Sequence, residues 1–412
     1  MSSKPKQKKS NIALPKMPRF VKSHGKNPDG PVVVQVLPAL VRGGVERGTI
    51  EMAEAIIAAG GKAVVISSGG PMVRHLIRCG ATHHQLSVNV KNPLLWGGLR
   101  RKISAILREE RADIVHVRSR VPAWLTLSAA KKQGLITVST VHGRFQTTSS
   151  LKRIYNGKML SSDHVIAISN HIKGLVTGAY FGIEEKLSVI HRGVDTAVFD
   201  ANKVSQSRII RFVEEIALPD DLPVVMLPAR ATFWKGHEIL LEALAKIQDL
   251  PFICVMVGAA DGRQTFTDRI TQKGVELGLE GRFRLVGAVE DMPAALMVAD
   301  VVVMPSITPE PFGRVALEAQ AMGRPVIAFN HGGAAESIVD ERTGWLATPG
   351  DAEDLSRCIA TALKLSATRR RALARDTRAH IVQSFSTAKM CSETIKIYAR
   401  LLAKAASLRT RQ

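Results

Sequence analysis

Two glutamates, Glu310 and Glu318, flank a Pro-Phe-Gly turn in the stretch Pro305 to Glu336, PSITPEPFGRVALEAQAMGRPVIAFNHGGAAE. The apolar run Asp300-Val-Val-Val-Met304 before them reads as a buried parallel strand. Val315 to Met322 is rich in Ala, Leu and Met and reads as a helix closed by Gly323. Glu310 therefore lies in a loop at the carboxyl end of a strand, the edge where open α/β sheets bind ligands. The amides of Phe312, Gly313 and Arg314 would open the helix and can receive an anion such as a phosphate. Glu318, about one turn into that helix, faces the same crevice and can accept hydrogen bonds from sugar hydroxyls. A second strand, Pro325 to Phe329, ends in the glycine turn His331-Gly-Gly333.

Two cations join these carboxylates. Arg230 and Lys235 stand in A-R-A-T-F-W-K-G, directly after an apolar run at Pro223 to Pro228. At a strand's carboxyl end they face the same crevice. There they can neutralise a diphosphate leaving group as negative charge develops on it. A solvated basic loop is the plainer alternative. Earlier in the chain, Gly43 and Gly44 follow a first strand, Val32 to Leu37, in R-G-G-V-E-R-G. Missing side chains there let the backbone approach a ligand closely, although a tight turn needs the same residues. The string is not G-x-G-x-x-G, so the dinucleotide fingerprint is absent. His116, Arg118 and Arg120 end the strand Asp113 to Val117 in V-H-V-R-S-R, and they are expected to face the cleft. The two arginines can hold an anionic acceptor, such as a phosphorylated lipid or an acidic sugar; a surface salt bridge is the alternative. No Asp-x-Asp triplet occurs, so no metal site is expected.

The elements that must position these residues alternate along the chain. Strands are expected at Lys62–Ser67, Ile136–Val141, His164–Ser169 and Leu187–His191, then at Pro251–Val257, Phe283–Val286 and Val326–Phe329. Helical patterns separate them, the signature of βαβ units and parallel sheets. The segment of about residues 196–221 is the expected linker between two halves. Ile395 to Leu402, IKIYARLL, reads as an amphipathic terminal helix.

Composition narrows the function classes. The chain has 412 residues, 45% of them hydrophobic, enough for two or three full cores. It has no apolar run of transmembrane length and no secretory h-region, so a cytoplasmic protein is expected. Four scattered cysteines fit reduced thiols. The net charge of +21 is unusual, and the first thirty residues alone carry eight Lys/Arg and one Asp. That tail reads as disordered. Such a field attracts polyanions: nucleic acid, anionic lipid headgroups or nucleotide diphosphates. No zinc-finger or RNP-type motif accompanies it, which favours a membrane surface over nucleic acid. The stretch Leu151 to Leu160, LKRIYNGKML, is basic and apolar. It fits a helix on the inner face of a membrane or a core-packed helix with a wet face.

The string E-P-F-G-R-V-A-L-E-A-Q-A-M-G-R-P-V-I-A, followed by G-G-x-x-E and T-G-W-L, resembles the E-x7-E signature of the retaining glycosyltransferases of family 4 (group 1). The R-x4-K-G pair and the early G-G-V-E-R are similar to further elements of that family. The resemblance covers about residues 31–405. It implies an α/β GT-B fold, two Rossmann-like parallel-sheet domains facing a central cleft. The implied division is a tail at 1–30, an acceptor domain at 31–197, a donor domain at 198–385, and a terminal helix at 386–412 crossing back to the first domain.

The implied donor contacts are Gly43, Gly44, Arg230, Lys235, Gly287, Glu310, Phe312, Gly313, Arg314, Val315 and Glu318. Glu310 would bind the donor sugar and support an oxocarbenium-like transition state. His142, in T-V-H-G, would lie by the transferred sugar, and Gly258 and Gly287 would line the base pocket. Asp195 and Glu336 are read as structural. The implied partners are a nucleotide-sugar and a glycan or glycolipid acceptor, with no metal or other cofactor. The early elements V-L-P-A-L-V-R-G-G-V-E-R-G and K-N-P look like bacterial lipopolysaccharide or envelope enzymes. A sugar-nucleotide epimerase of the same fold and a non-enzymatic polyanion-binding protein are the alternatives.

Overall fold

The computed structural model describes residues 17–21, 27, 29–41, 43–145, 149–259 and 264–409. Among these residues the strands form two parallel sheets. The first has the order β3-β2-β1-β4-β5-β6-β7. Its strands are β1 Val32–Val36, β2 Lys62–Ser67, β3 Thr82–Gln85, β4 Ile114–Val117, β5 Ile136–Val141, β6 His164–Ala167 and β7 Leu187–Val189. The second has the order β10-β9-β8-β11-β12-β13. It comprises β8 Val224–Pro228, β9 Ile253–Val257, β10 Phe283–Val286, β11 Val301–Met304, β12 Val326–Phe329 and β13 Gly344–Ala347. The inner strands β1, β4, β8, β9 and β11 are buried at every position. Helices cover both faces of a parallel sheet, so its strands show apolar runs rather than alternation.

In each sheet the chain walks outward in one direction, then crosses and walks the other way. The reversal falls between β1 and β4 in the first sheet and between β8 and β11 in the second. Loops leaving two such neighbours diverge and open a crevice. The loops after β1, β4, β8 and β11 are those carrying Gly44, Arg118, Lys235 and Glu310.

The terminal helix Thr387–Arg409 packs with the first sheet, not the second. Met390, Ile395, Tyr398 and Leu402 share one core with Val33, Ile56, Val65 and Ile114. No helix of the described residues is long and apolar enough to cross a membrane. The tail expectation needs one correction. Phe20 is buried in that same core, and its N–H donates to Ala59 O at 2.9 Å. Phe20, with Met17 packed against the same core, ties residues 17–21 down inside a basic stretch; residues 1–16 lie outside the described set.

His116 also departs from its expected role. It is buried, with Nδ1 at 2.5 Å from Tyr398 Oη and Nε2 at 2.7 Å from Thr140 Oγ1. Burial, with Arg118 and His164 nearby, holds its pKa well below the ordinary histidine value. A neutral ring engaged at both nitrogens ties the terminal helix to β4 and β5, and it has no group left for an acceptor. Tyr398→Phe removes one of those partners and strands a buried ring nitrogen. We expect a loss of about 1–3 kcal/mol in urea unfolding followed by tryptophan fluorescence. An unchanged midpoint would show that the bond contributes nothing net.

Candidate functional site

The second unit supplies an ion pair at its crevice. Lys235 ends a short 3₁₀ turn, Phe233–Lys235, after β8, and its Nζ lies 2.7 Å from Glu310 Oε1. The same oxygen accepts from Ser306 Oγ at 2.6 Å. Both charged side chains are largely shielded from water, so the bond is stronger than a surface pair. The loops are locked together at the backbone. Ile307 N–H donates to Trp234 O at 2.9 Å, and a Cβ on Gly236 (φ +76°) would lie 1.9 Å from Pro305 O. Only glycine fits there, which explains why Lys235 is followed by one. The Lys235 ammonium also sits over the Trp234 ring, 4.3 Å from its centroid. Arg230, at the end of β8, is exposed.

After β11 the loop ends at Gly313 (φ +86°), and the helix Arg314–Ala321 begins. The amides of Arg314 and Val315 belong to its first turn, where intrahelical partners are missing. Phe312 contributes its ring to packing instead, 6.0 Å from His191 and 6.4 Å from Phe385. Glu318 lies one turn in, half-buried, with Oε1 3.6 Å from Arg314 Nη2. Burial raises its carboxyl above the ordinary range, opposed by Arg314 and by Arg47 of the first unit.

Across the crevice stands the helix Gly44–Ala58, entered directly from Gly43. A Cβ on Gly44 would lie 3.3 Å from Arg314 Cδ, so the two units meet at these residues. Arg192, buried after β7, donates from Nη2 to Gly44 O. Burial pushes its pKa down to about 10, which leaves it charged. Arg118 donates from Nε and Nη2 to Gln35 Oε1, at 2.9 and 2.7 Å. Gln35 sits in β1 beside β4, so two neighbouring strands hold this guanidinium.

Arg118, Arg120, His142, Glu46, Phe145 and Met159 line a cavity of ≈ 260 Å³ in the first unit. Arg120 opens the helix Arg120–Lys132, donates to Arg144 O at 2.7 Å, and packs its guanidinium over Phe145. The Nε2 of His142 has no hydrogen-bond partner among the described residues. Burial first, then Arg192 and Arg118, keep its pKa well below the usual value, so this ring is neutral.

Glu336, read as structural from the sequence, joins the two units. Its carboxylate, from the second unit, accepts from Asn170 N–H (2.8 Å), Asn170 Nδ2 (3.0 Å) and His171 N–H (2.7 Å) in the first. His191 Nε2 lies 2.7 Å from the same group. The acid thus caps the helix Asn170–Thr177 from across the crevice, and Ser169 Oγ donates to Pro311 O at 2.7 Å beside it.

The structure therefore brings Lys235, Glu310, Gly313, Arg314, Val315 and Glu318 to one edge, with Gly43 and Gly44 opposite. Arg118, Arg120 and His142 line the neighbouring cavity. Gly287 follows β10, which lies two strands from β8, the strand that leads to Lys235. Ser306, Arg192 and the bridging part of Glu336 were missed. Ser306 lies in PSITPEPFG, Arg192 in R-G-V-D with Asp195, and Glu336 in G-G-A-A-E.

Comparison with known proteins follows this geometry. The family described as "Glycosyl transferases group 1" matches residues 209–379, and "Glycosyltransferase Family 4" matches residues 42–198. The crystal structure of a glycosyltransferase from Rickettsia africae is 34% identical with a TM-score of 0.84, covering 91% of this chain and 99% of that one. Anabaena HepE in complex with UDP-glucose is 25% identical with a TM-score of 0.73, covering 91% and 99%. An uncharacterized glycosyltransferase of Methanocaldococcus jannaschii is 30% identical over 240 residues, 58% of this chain. The match spans 60% of that curated relative's own length.

Proposed function

This chain belongs to the group 1 glycosyltransferases of family 4, and from that premise we propose that it transfers a sugar from a nucleotide-diphosphate-sugar to an acceptor hydroxyl. The observation that carries the proposal is the Lys235–Glu310 pair at 2.7 Å, in the crevice where the second sheet reverses direction. A cation there meets the charge that develops on a departing diphosphate, and Arg230 and the amides of Gly313, Arg314 and Val315 add to it. Glu310 receives the donor sugar hydroxyls and supports positive charge at the anomeric carbon. Glu318 holds the ribose. The family resemblance supports retention of configuration, with the acceptor hydroxyl arriving on the face that the diphosphate leaves. His142, neutral by burial, donates or accepts one hydrogen bond near that sugar without adding a charge.

The acceptor enters from the first unit. Arg118 and Arg120 give its cavity two cations against the one carboxylate of Glu46, while Phe145 and Met159 give it an apolar wall. That combination suits an anionic glycan with an apolar portion, as in the assembly of lipopolysaccharide or another envelope glycan. Arg230 and Lys235 serve as the diphosphate clamp, so no metal is required by this scheme.

The test is thermal stabilisation by a panel of UDP-, GDP-, ADP- and TDP-sugars, beginning with UDP-glucose because HepE is complexed with it. A ligand at about 100 times its Kd adds about 2.7 kcal/mol of stability. One nucleotide class should stabilise the protein, and Glu318→Ala should weaken that shift. If no class does so, the donor-site reading is overturned.

A further inference from the structure

One face of the first unit leaves large apolar side chains in water. Leu94 and Phe181 are each 90% exposed, Leu151 80% and Ile154 63%. They form one band, because the residues beside them touch. Trp96 follows Leu94 and Leu95 and lies 5.9 Å from Trp124, which stacks on Tyr155 of the helix Ser150–Gly157 at 6.5 Å. Leu151 and Ile154 sit on that helix one turn apart and share its outer side. Tyr180, next to Phe181, donates from its hydroxyl to Arg153 O at 2.7 Å. The stretch is divided: Leu151 and Ile154 lie in water, while Met159 and Leu160 at its end are buried in the core.

The band is basic around Leu151, while Glu184 and Glu185 follow Phe181 at its other end. No Asp or Glu occurs between Asp113 and Asp163, while Lys131, Lys132, Arg144, Lys152, Arg153 and Lys158 all do. Arg100 and Lys131 lie within Coulombic reach of Lys158, whose ammonium sits over the Trp124 ring. Like charges gathered beside exposed leucines call for a surface that is anionic outside and apolar just beneath. A lipid leaflet has that profile. A nucleic acid offers phosphates but no bed for Leu94 or Leu151.

The band reaches the acceptor cavity. Tyr180 meets Phe145 edge-on at 6.2 Å, and Phe145 forms the cavity wall together with Met159. We propose that Leu94, Leu95, Leu151, Ile154 and Phe181, with the lysines and arginines around them, dock this protein on an anionic membrane and set the cavity of Arg118, Arg120 and His142 beside the lipid surface. This deepens the transferase reading and rests on it for one point only: the acceptor it implies is a glycan carried on a lipid, whose tail stays in the leaflet while its headgroup enters the cavity.

The experiment is co-flotation of the full chain with vesicles of phosphatidylcholine alone and of phosphatidylcholine with phosphatidylglycerol. Retention on the anionic vesicles at low salt, with little on the neutral ones, is expected. Leu94→Ser with Leu151→Ser and Phe181→Ser should cut partitioning about tenfold or more. Lys131→Glu with Lys132→Glu should cut it at low salt and less at high salt. The mutated side chains are exposed, so the melting temperature should hold and serves as the folding control. Docking is overturned if anionic vesicles do not retain the wild type, or if the serine variant floats as well as the wild type. It is also overturned if sedimentation shows a dimer that the serine variant dissolves, since the face would then be covered by a second copy. Nucleotide-sugar stabilisation read on the same samples separates the two proposals: donor binding without flotation leaves the transferase reading standing, and flotation without donor binding leaves the docking standing.

Discussion

Replacing Lys235 with methionine is expected to lower kcat by about 10²–10³-fold, with a much smaller change in the KM for the nucleotide-sugar. The ammonium lies 2.7 Å from Glu310 with 14% of its side chain exposed, so its field acts through little water. A charge in that position matters most when the diphosphate departs. Stability should fall as well. The variant leaves Glu310, 9% exposed, with Ser306 as its remaining hydrogen-bond partner. Removing one member of a buried pair costs about 3–5 kcal/mol, because the other charge is left without compensation. Adding Glu310→Gln should recover most of that loss without recovering turnover, which separates the structural part of the pair from the chemical part. Single-turnover kinetics and urea unfolding on the wild type and the two variants decide the matter. A raised KM with unchanged kcat would mean that Lys235 only binds the donor.

The second large effect is expected at Glu336. Its carboxylate takes two backbone N–H groups, one side-chain amide and the His191 ring, all from the first unit. Glu336→Ala leaves these donors facing an apolar gap and should remove roughly 3 kcal/mol of coupling between the units. Two unfolding transitions should then separate where the wild type shows one. The pH dependence follows from the same contacts. Burial raises this carboxyl, but the bonds from His191, Asn170 and His171 outweigh it and hold the folded value below the ordinary one. A lowered folded value means that the stabilisation is fully present above the unfolded value, about 4.3. It is lost as pH falls through the lower, folded value. Wild type and variant should therefore differ at pH 7 and converge in acid. A single transition with an unmoved midpoint in the variant would refute the bridge.

Much of the fold could be read from the sequence because the sheets are parallel and covered. Runs such as VVVQV in β1 and VVVM in β11 are apolar on both faces, and nothing but a buried strand needs that. β3 and β13 escaped. Thr82-His-His-Gln85 is polar throughout and lies at the sheet's edge, where one side of the ladder is open. Gly344-Trp-Leu-Ala347 opens on a glycine and has no β-branched residue, so its composition does not mark a strand. The site divides in a similar way. Lys235 and Glu310 each follow a strand in a recognisable string, and the structure places them in contact. His116 also ends a strand, and its sequence neighbours could not distinguish a substrate from Tyr398 as its partner. Arg192 and Glu336 act through residues far away in the chain, which no local pattern encodes, and Ser306, four residues before Glu310, reads in sequence as an ordinary loop serine.

The His116–Tyr398 bond joins residues 282 positions apart, and the terminal helix fills the core of the first unit. During synthesis this has a cost in time. At about 5–20 residues per second, roughly 15–55 s pass between the appearance of His116 and that of its partner. Until then the nascent first unit exposes the apolar surface that Ile395, Tyr398 and Leu402 later cover, and it depends on the ribosome's surroundings or on chaperones to stay out of aggregates. A ribosome that stalls before the codon for Thr387 would release a chain whose two sheets are fully encoded but whose first core cannot close.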